Sequence, residues 1–162
     1  MPSASKYLAT YLNDHLLGST LGLELVRRAA GENKGSELGA FLDGLVGEIE
    51  EDRDTLLAVI GELGVKPDQL KVAAGWTAEK LGRLKPNGQL LGYSPLSPLV
   101  ELEGLLIGIQ GKLAMWQALA DVAEQVGLER ARFEALSARA ERQQTEVESH
   151  RLAAARTALT AV

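Results

Sequence analysis

Apolar residues recur at steps of three and four through most of this chain. The clearest case is SPLVELEGLLIGIQGKLAMWQALA, residues 97–120. There Leu99, Leu102, Leu106, Ile109, Leu113 and Trp116 follow the period of one helix face. A second stripe, Val100, Gly104, Ile107, Gly111, Ala114 and Ala118, lies roughly 150° around the same helix. A helix that is apolar on two faces is buried on two sides, so this stretch is expected to be the central helix. Ser97 can cap it, Pro98 fits its first turn, and it is expected to end near Gly127. Its only charges are Glu101, Glu103 and Lys112.

The same period predicts three more long helices. The first runs from about Ser5 to Ala30, with Leu8, Tyr11, Leu12, His15, Ser19, Gly22, Leu23 and Val26 on one face. Gly18 and Gly22 leave room for a close neighbour, and Gly104, Gly108 and Gly111 of the central helix are the expected partner. The second follows a Gly31–Gly35 break, with Ser36 as cap, and ends at Gly64; Leu38, Phe41, Leu42, Leu45, Ile49, Leu56, Ile60 and Leu63 face inward. The last spans about Leu128 to Leu159, with Phe133, Leu136, Ala140, Val147, Ala154 and Ala158 inward. Between the second and central helices, residues of about 65–97 include a short amphipathic helix from Pro67 to near Leu84, then turns. About 30 residues is more than a tight hairpin needs, so this segment reads as a crossover. No strand pattern and no internal repeat occur. The expected fold is all-α: a four-helix bundle of two antiparallel helical hairpins joined by a long crossover containing a short helix, as one domain over 1–162.

Composition narrows the chemistry. The chain has 162 residues and no cysteine, which excludes disulfides, thiolate metal sites and cysteine nucleophiles. Only 4% of residues are aromatic, so Leu, Ala and Val must fill the core. A formal charge of −5 argues against nucleic-acid binding. No charge-free apolar run is long enough to span a membrane, and no signal peptide is evident, so a cytoplasmic location is expected. No glycine-rich phosphate loop or nucleophile elbow is present.

Two helical hairpins with a crossover resemble the ferritin-like superfamily. The stretch EIEEDRDTLLAVIGELGV, Glu48 to Val65, is similar to the second helix of stress-associated bacterial members. The resemblance implies a carboxylate-bridged di-iron or di-manganese centre, built from a Glu on each of two helices and a Glu-x-x-His on each of the others. This chain has only two histidines, His15 and His150, and neither completes that motif.

Other residues offer a different set. Folding the helices back on one another places His15 level with Glu51 and Asp52, and His150 level with Glu103. His15, Asp52, Glu103 and His150 are therefore a candidate nitrogen/oxygen site for iron, manganese or zinc. The same four also read as ordinary His–carboxylate pairs. Arg53 flanks the second helix's core face and can neutralise Asp52 or Glu103, since a buried acid must be paired or protonated. Glu103, Gln110 and Gln117 form a polar strip, read as a cavity lining or a solvated seam. The crossover carries Trp76 among Lys66, Lys71, Lys80, Arg83 and Lys85, a candidate partner surface or a buried tryptophan among solvated lysines.

Three functions follow from this set. One is a non-catalytic ferritin-like bundle acting through oligomerisation or partner binding. Another is a metal-binding relative or oxidase with an altered His/Asp/Glu site. The third is an unrelated four-helix adaptor binding through the crossover. The broad apolar surfaces of the first and central helices predict a homodimer.

Overall fold

The computed structural model describes residues 5–67 and 92–160. Among these the chain is all-helical, with four long helices and no strand. Helix α1 spans Lys6–Glu32 and α2 spans Glu37–Glu62. Helix α3 spans Ser97–Val122, a 3-10 turn covers Glu124–Val126, and α4 spans Arg130–Leu159. The short helix and Trp76 of the expected crossover lie outside the described residues.

Local chemistry accounts for the boundaries. Ser5 caps α1 by accepting from the Leu8 N–H at 3.1 Å, and Ser36 caps α2 by accepting from the Gly39 N–H at 3.0 Å. Gly64 (φ 64°) and Gly127 (φ 74°) adopt the left-handed conformation that follows a helix end at little cost only for glycine. The central helix differs from expectation at its start and end. Its N-cap is Leu96 without a side-chain bond, and it stops at Val122, followed by the 3-10 turn.

All four helices contribute to the interior, which divides into two apolar clusters. One gathers Leu23, Val26, Leu42, Leu45, Ile49, Leu102, Leu105, Ile109, Ala140 and Val147. The other gathers Leu12, Leu16, Leu56, Ile60, Met115, Trp116, Leu119, Phe133 and Leu136. Contacts between α1 and α2 include Arg53 with Thr20 and Arg27 with Glu50, and Asn13 of α1 reaches the Lys66 carbonyl just past the end of α2. Those between α3 and α4 include Arg151 with Glu103, Lys112 with Gln143, and Trp116 stacked near Phe133.

Two packing expectations are corrected. The second apolar stripe of α3 is not buried among the described residues: Ile107 is 75% exposed, and Ala114 and Ala118 are exposed. The glycines of α1 and α3 do not clasp each other either. A methyl group built at Gly18, Gly22, Gly108 or Gly111 meets nothing within 4 Å, and only Gly104 touches a neighbour, Leu25 Cδ2 at 3.1 Å. The helices stand apart there instead of closing.

Candidate functional site

A polar layer lies between the two apolar clusters. Its centre is Asp52 on α2, 3% exposed. Lys112 of α3 donates to Asp52 Oδ2 at 2.5 Å, and Arg139 of α4 donates to Oδ1. Lys112 also donates to the side-chain oxygen of the fully buried Gln143 on α4. The Gln143 amide nitrogen then donates to Glu48 Oε2 at 2.8 Å. Outward of this, Arg139 reaches Glu51 at 2.9 Å and Arg142 reaches Glu48 at 2.8 Å. Three acids of α2 thus meet three bases of α3 and α4, and the layer balances its own charge.

The electrostatics follow from burial and pairing. Desolvation holds the Lys112 ammonium below its ordinary pKa, against the pull of Asp52. For Glu48, burial pushes upward, but hydrogen bonds from Gln143 and Arg142 and the nearby guanidinium charges outweigh it, and the carboxyl sits below its ordinary value.

The four residues singled out from sequence go to different surroundings. Asp52 is buried as its face predicts, but Lys112 and Arg139 hold it. His15 is half-buried, edge-on to Tyr11 with ring centroids 4.6 Å apart, and burial lowers its pKa. His150 stacks on Phe41 of α2, centroids 4.2 Å apart, so it faces α2 and not Glu103. Glu103 is exposed and lies 3.6 Å from Arg151. Only His15 and Asp52 share a surface, as parts of one cavity wall. Among the described residues no three His, Cys, Asp or Glu side chains gather to hold a metal ion. Nor does the polar layer suit a carboxylate-bridged di-metal centre: two cations already point at its buried carboxylate, and α3 and α4 supply a lysine, an arginine and an amide where that centre needs acids and histidines.

Arg53 does not neutralise Asp52 or Glu103. Its Nε donates to Thr20 Oγ1 at 3.3 Å, and its nearest acid is the exposed Asp54 at 3.9 Å. Gln110 of the polar strip is solvent-facing and pairs with Gln144 at 2.7 Å.

The side of the layer toward α1 is a cavity. It measures about 210 Å³ and lies between α1, α2 and α3. Glycines 18 and 22 of α1 and 104, 108 and 111 of α3 form much of its wall, and Asp52, Lys112 and Arg53 reach it from the layer's side. A second buried polar group closes one end of the core. Glu101, 6% exposed, accepts from Tyr93 at 2.6 Å and from Arg28 at 3.1 Å, and Asn33 donates to the Tyr93 hydroxyl at 2.7 Å. Sequence reasoning noted Glu101 and Lys112 only as charges on the central helix, and passed over Gln143 and Arg139.

Comparison with protein-family models, curated proteins and solved structures found no match to this chain.

Proposed function

We propose that this chain is a ferritin-like four-helix bundle that works without a metal centre and acts by associating with a second copy of itself or with a protein partner. One observation carries the proposal: the carboxylate at the centre of the polar layer, Asp52, is neutralised by the chain's own Lys112 and Arg139. A metal ion there would have to displace both.

The contact order supports two antiparallel hairpins. Along α1, Asn13, Thr20 and Arg27 meet Lys66, Arg53 and Glu50, so one number rises as the other falls. Glu103, Lys112 and Trp116 meet Arg151, Gln143 and Phe133 in the same sense. The span between α2 and α3 leaves length for a crossover. Association is supported by Ile107, a large apolar side chain left 75% exposed beside the open glycines of α3.

Elemental analysis of protein purified without a His-tag, before and after anaerobic Fe(II) loading, tests the first half. No stoichiometric iron, manganese or zinc is expected. Stoichiometric metal that disappears in a His15→Ala/His150→Ala variant would overturn the proposal in favour of a metal-handling protein. Light scattering tests the second half: a dimer at micromolar concentration is expected, and Ile107→Asp should weaken it.

A further inference from the structure

The polar layer receives side chains from α2, α3 and α4, while α1 passes it with Gly18, Ser19 and Gly22. The space that a fourth side chain would fill is the cavity. Glycine inside a helix costs roughly 1 kcal/mol relative to alanine. The usual compensation is close helix packing, and Gly18, Gly22, Gly108 and Gly111 have none among the described residues. They border an open-sided pocket instead, Gly18 and Gly108 at its exposed rim and Gly22 and Gly111 half-buried.

The lining defines what would fit. Leu56, Leu105, Met115 and Trp116 make most of it apolar. The charges are not equivalent. Lys112 and Asp52 are committed to each other and to Gln143 and Arg139. Asp14 is exposed at the mouth, where water solvates it. Arg53 is different: its side chain is 20% exposed, with the Thr20 hydroxyl at 3.3 Å and its ion-pair partner, the exposed Asp54, at 3.9 Å. A largely buried cation whose one counter-ion is distant and well solvated recruits an anion, and a guanidinium suits a carboxylate in bidentate geometry. A dry apolar cavity of about 150 Å³ accepts benzene. A cavity of about 210 Å³ takes a ring with a short acidic arm.

We propose that this cavity binds a small apolar monocarboxylic acid, its carboxylate on Arg53 and its hydrocarbon body between the glycine walls, toward Leu56 and Trp116. The site goes beyond the bundle function proposed above and does not depend on it: metal content and oligomeric state decide that reading, and ligand response decides this one.

Phenylacetate is the probe, and phenylacetamide, of the same shape but uncharged, is its control. Trp76 and Trp116 are the only tryptophans, so the full chain carrying Trp76→Phe makes Trp116 the sole reporter. Phenylacetate should shift Trp116 emission saturably and raise the melting temperature, with phenylacetamide at least about tenfold weaker. Arg53→Met should lose at least about tenfold in affinity for phenylacetate and little for the amide. Gly22→Leu fills the open space, so it should abolish the response while the chain stays folded by circular dichroism; Gly111→Leu provides a second filled variant. No saturable response up to about 10 mM overturns the proposal, and so does equal binding by Arg53→Met. A dimer that Gly22→Leu dissociates, without any response to phenylacetate, also overturns it and assigns the cavity to the second copy.

Discussion

Lys112 and Gln143 meet end to end across α3 and α4, the ammonium donating to the amide oxygen and the amide nitrogen donating onward to Glu48. An ammonium only donates, so this contact fixes which way the amide points. Through it, one side chain from each of three helices shares a single hydrogen-bonded chain.

Breaking that chain at its centre is expected to be costly. Asp52→Leu leaves the buried Lys112 without its counter-ion and Arg139 with the exposed Glu51 alone, and should destabilise the fold by about 3–5 kcal/mol. Adding Lys112→Met and Gln143→Leu should return most of that loss, because the apolar replacements remove the buried ammonium and Arg139 keeps its pair with Glu51. Urea unfolding of the single and triple variants checks this. Additive losses would show that the three side chains do not act together.

The glycines give predictions of opposite sign. Gly22→Ala and Gly108→Ala enter open space and should each stabilise by about 0.5–1 kcal/mol through helix propensity. Gly39→Ala should destabilise, because its methyl would lie 2.1 Å from the Asn33 carbonyl oxygen, a backbone atom that cannot swing aside. Thermal unfolding of the three variants separates the cases directly.

Acid sensitivity has a definite direction. Burial lowers the His15 pKa from 6.5, although the neighbouring Asp14 pulls it up. Below pH 6.5 the unfolded chain therefore takes up this proton before the folded one, and stability falls as the pH drops. His15→Gln should remove that part of the loss, so the variant gains relative to the parent as the pH falls from neutral through 6.5. Glu48 acts lower. Its pKa lies below 4.5 in the fold, so its stabilising share is full above that value and is lost as the pH falls through the folded pKa. Unfolding midpoints across a pH series, with and without His15→Gln, distinguish the two ranges.

At the far end of the core, Tyr93→Phe removes one of the two donors to the Glu101 carboxylate and leaves the Asn33 amide nitrogen with the Ala29 carbonyl alone. A loss of about 1–2 kcal/mol is expected. Asn33→Ala in the Tyr93→Phe background should then cost less than Asn33→Ala alone, which a double-mutant cycle in urea measures.

The helices were legible in the sequence because each carries an apolar face long enough to set the period, from Leu12 to Val26 in α1 and from Leu42 to Ile60 in α2. The polar layer was only half legible. Asp52 was placed inward by its step from Ile49 and Leu56. Gln143 falls equally well between Ala140 and Val147 on the inner face of α4, and its spacing was the available signal. What no single helix reveals is that Asp52, Lys112 and Gln143 arrive at one height, since that depends on how the helices stand against each other. The second stripe of α3 failed for a different reason: an apolar face reports that something can cover it, not that this chain does. The histidines pack against aromatic rings, Tyr11 and Phe41, a contact that the heights of the acids along the helices do not report.

Leucines and alanines on parallel ridges are nearly interchangeable, and a core made of them could settle equally well one turn up or down. A slide of α3 by one turn, 5.4 Å, would carry the Lys112 ammonium away from Asp52 and against Ile49 or Leu56. A bare charge among hydrocarbon costs several kcal/mol. The buried layer therefore acts as a locating pin: it selects one alignment of the helices from several that oil alone would accept, and whatever the surface of α3 meets is presented at a fixed height.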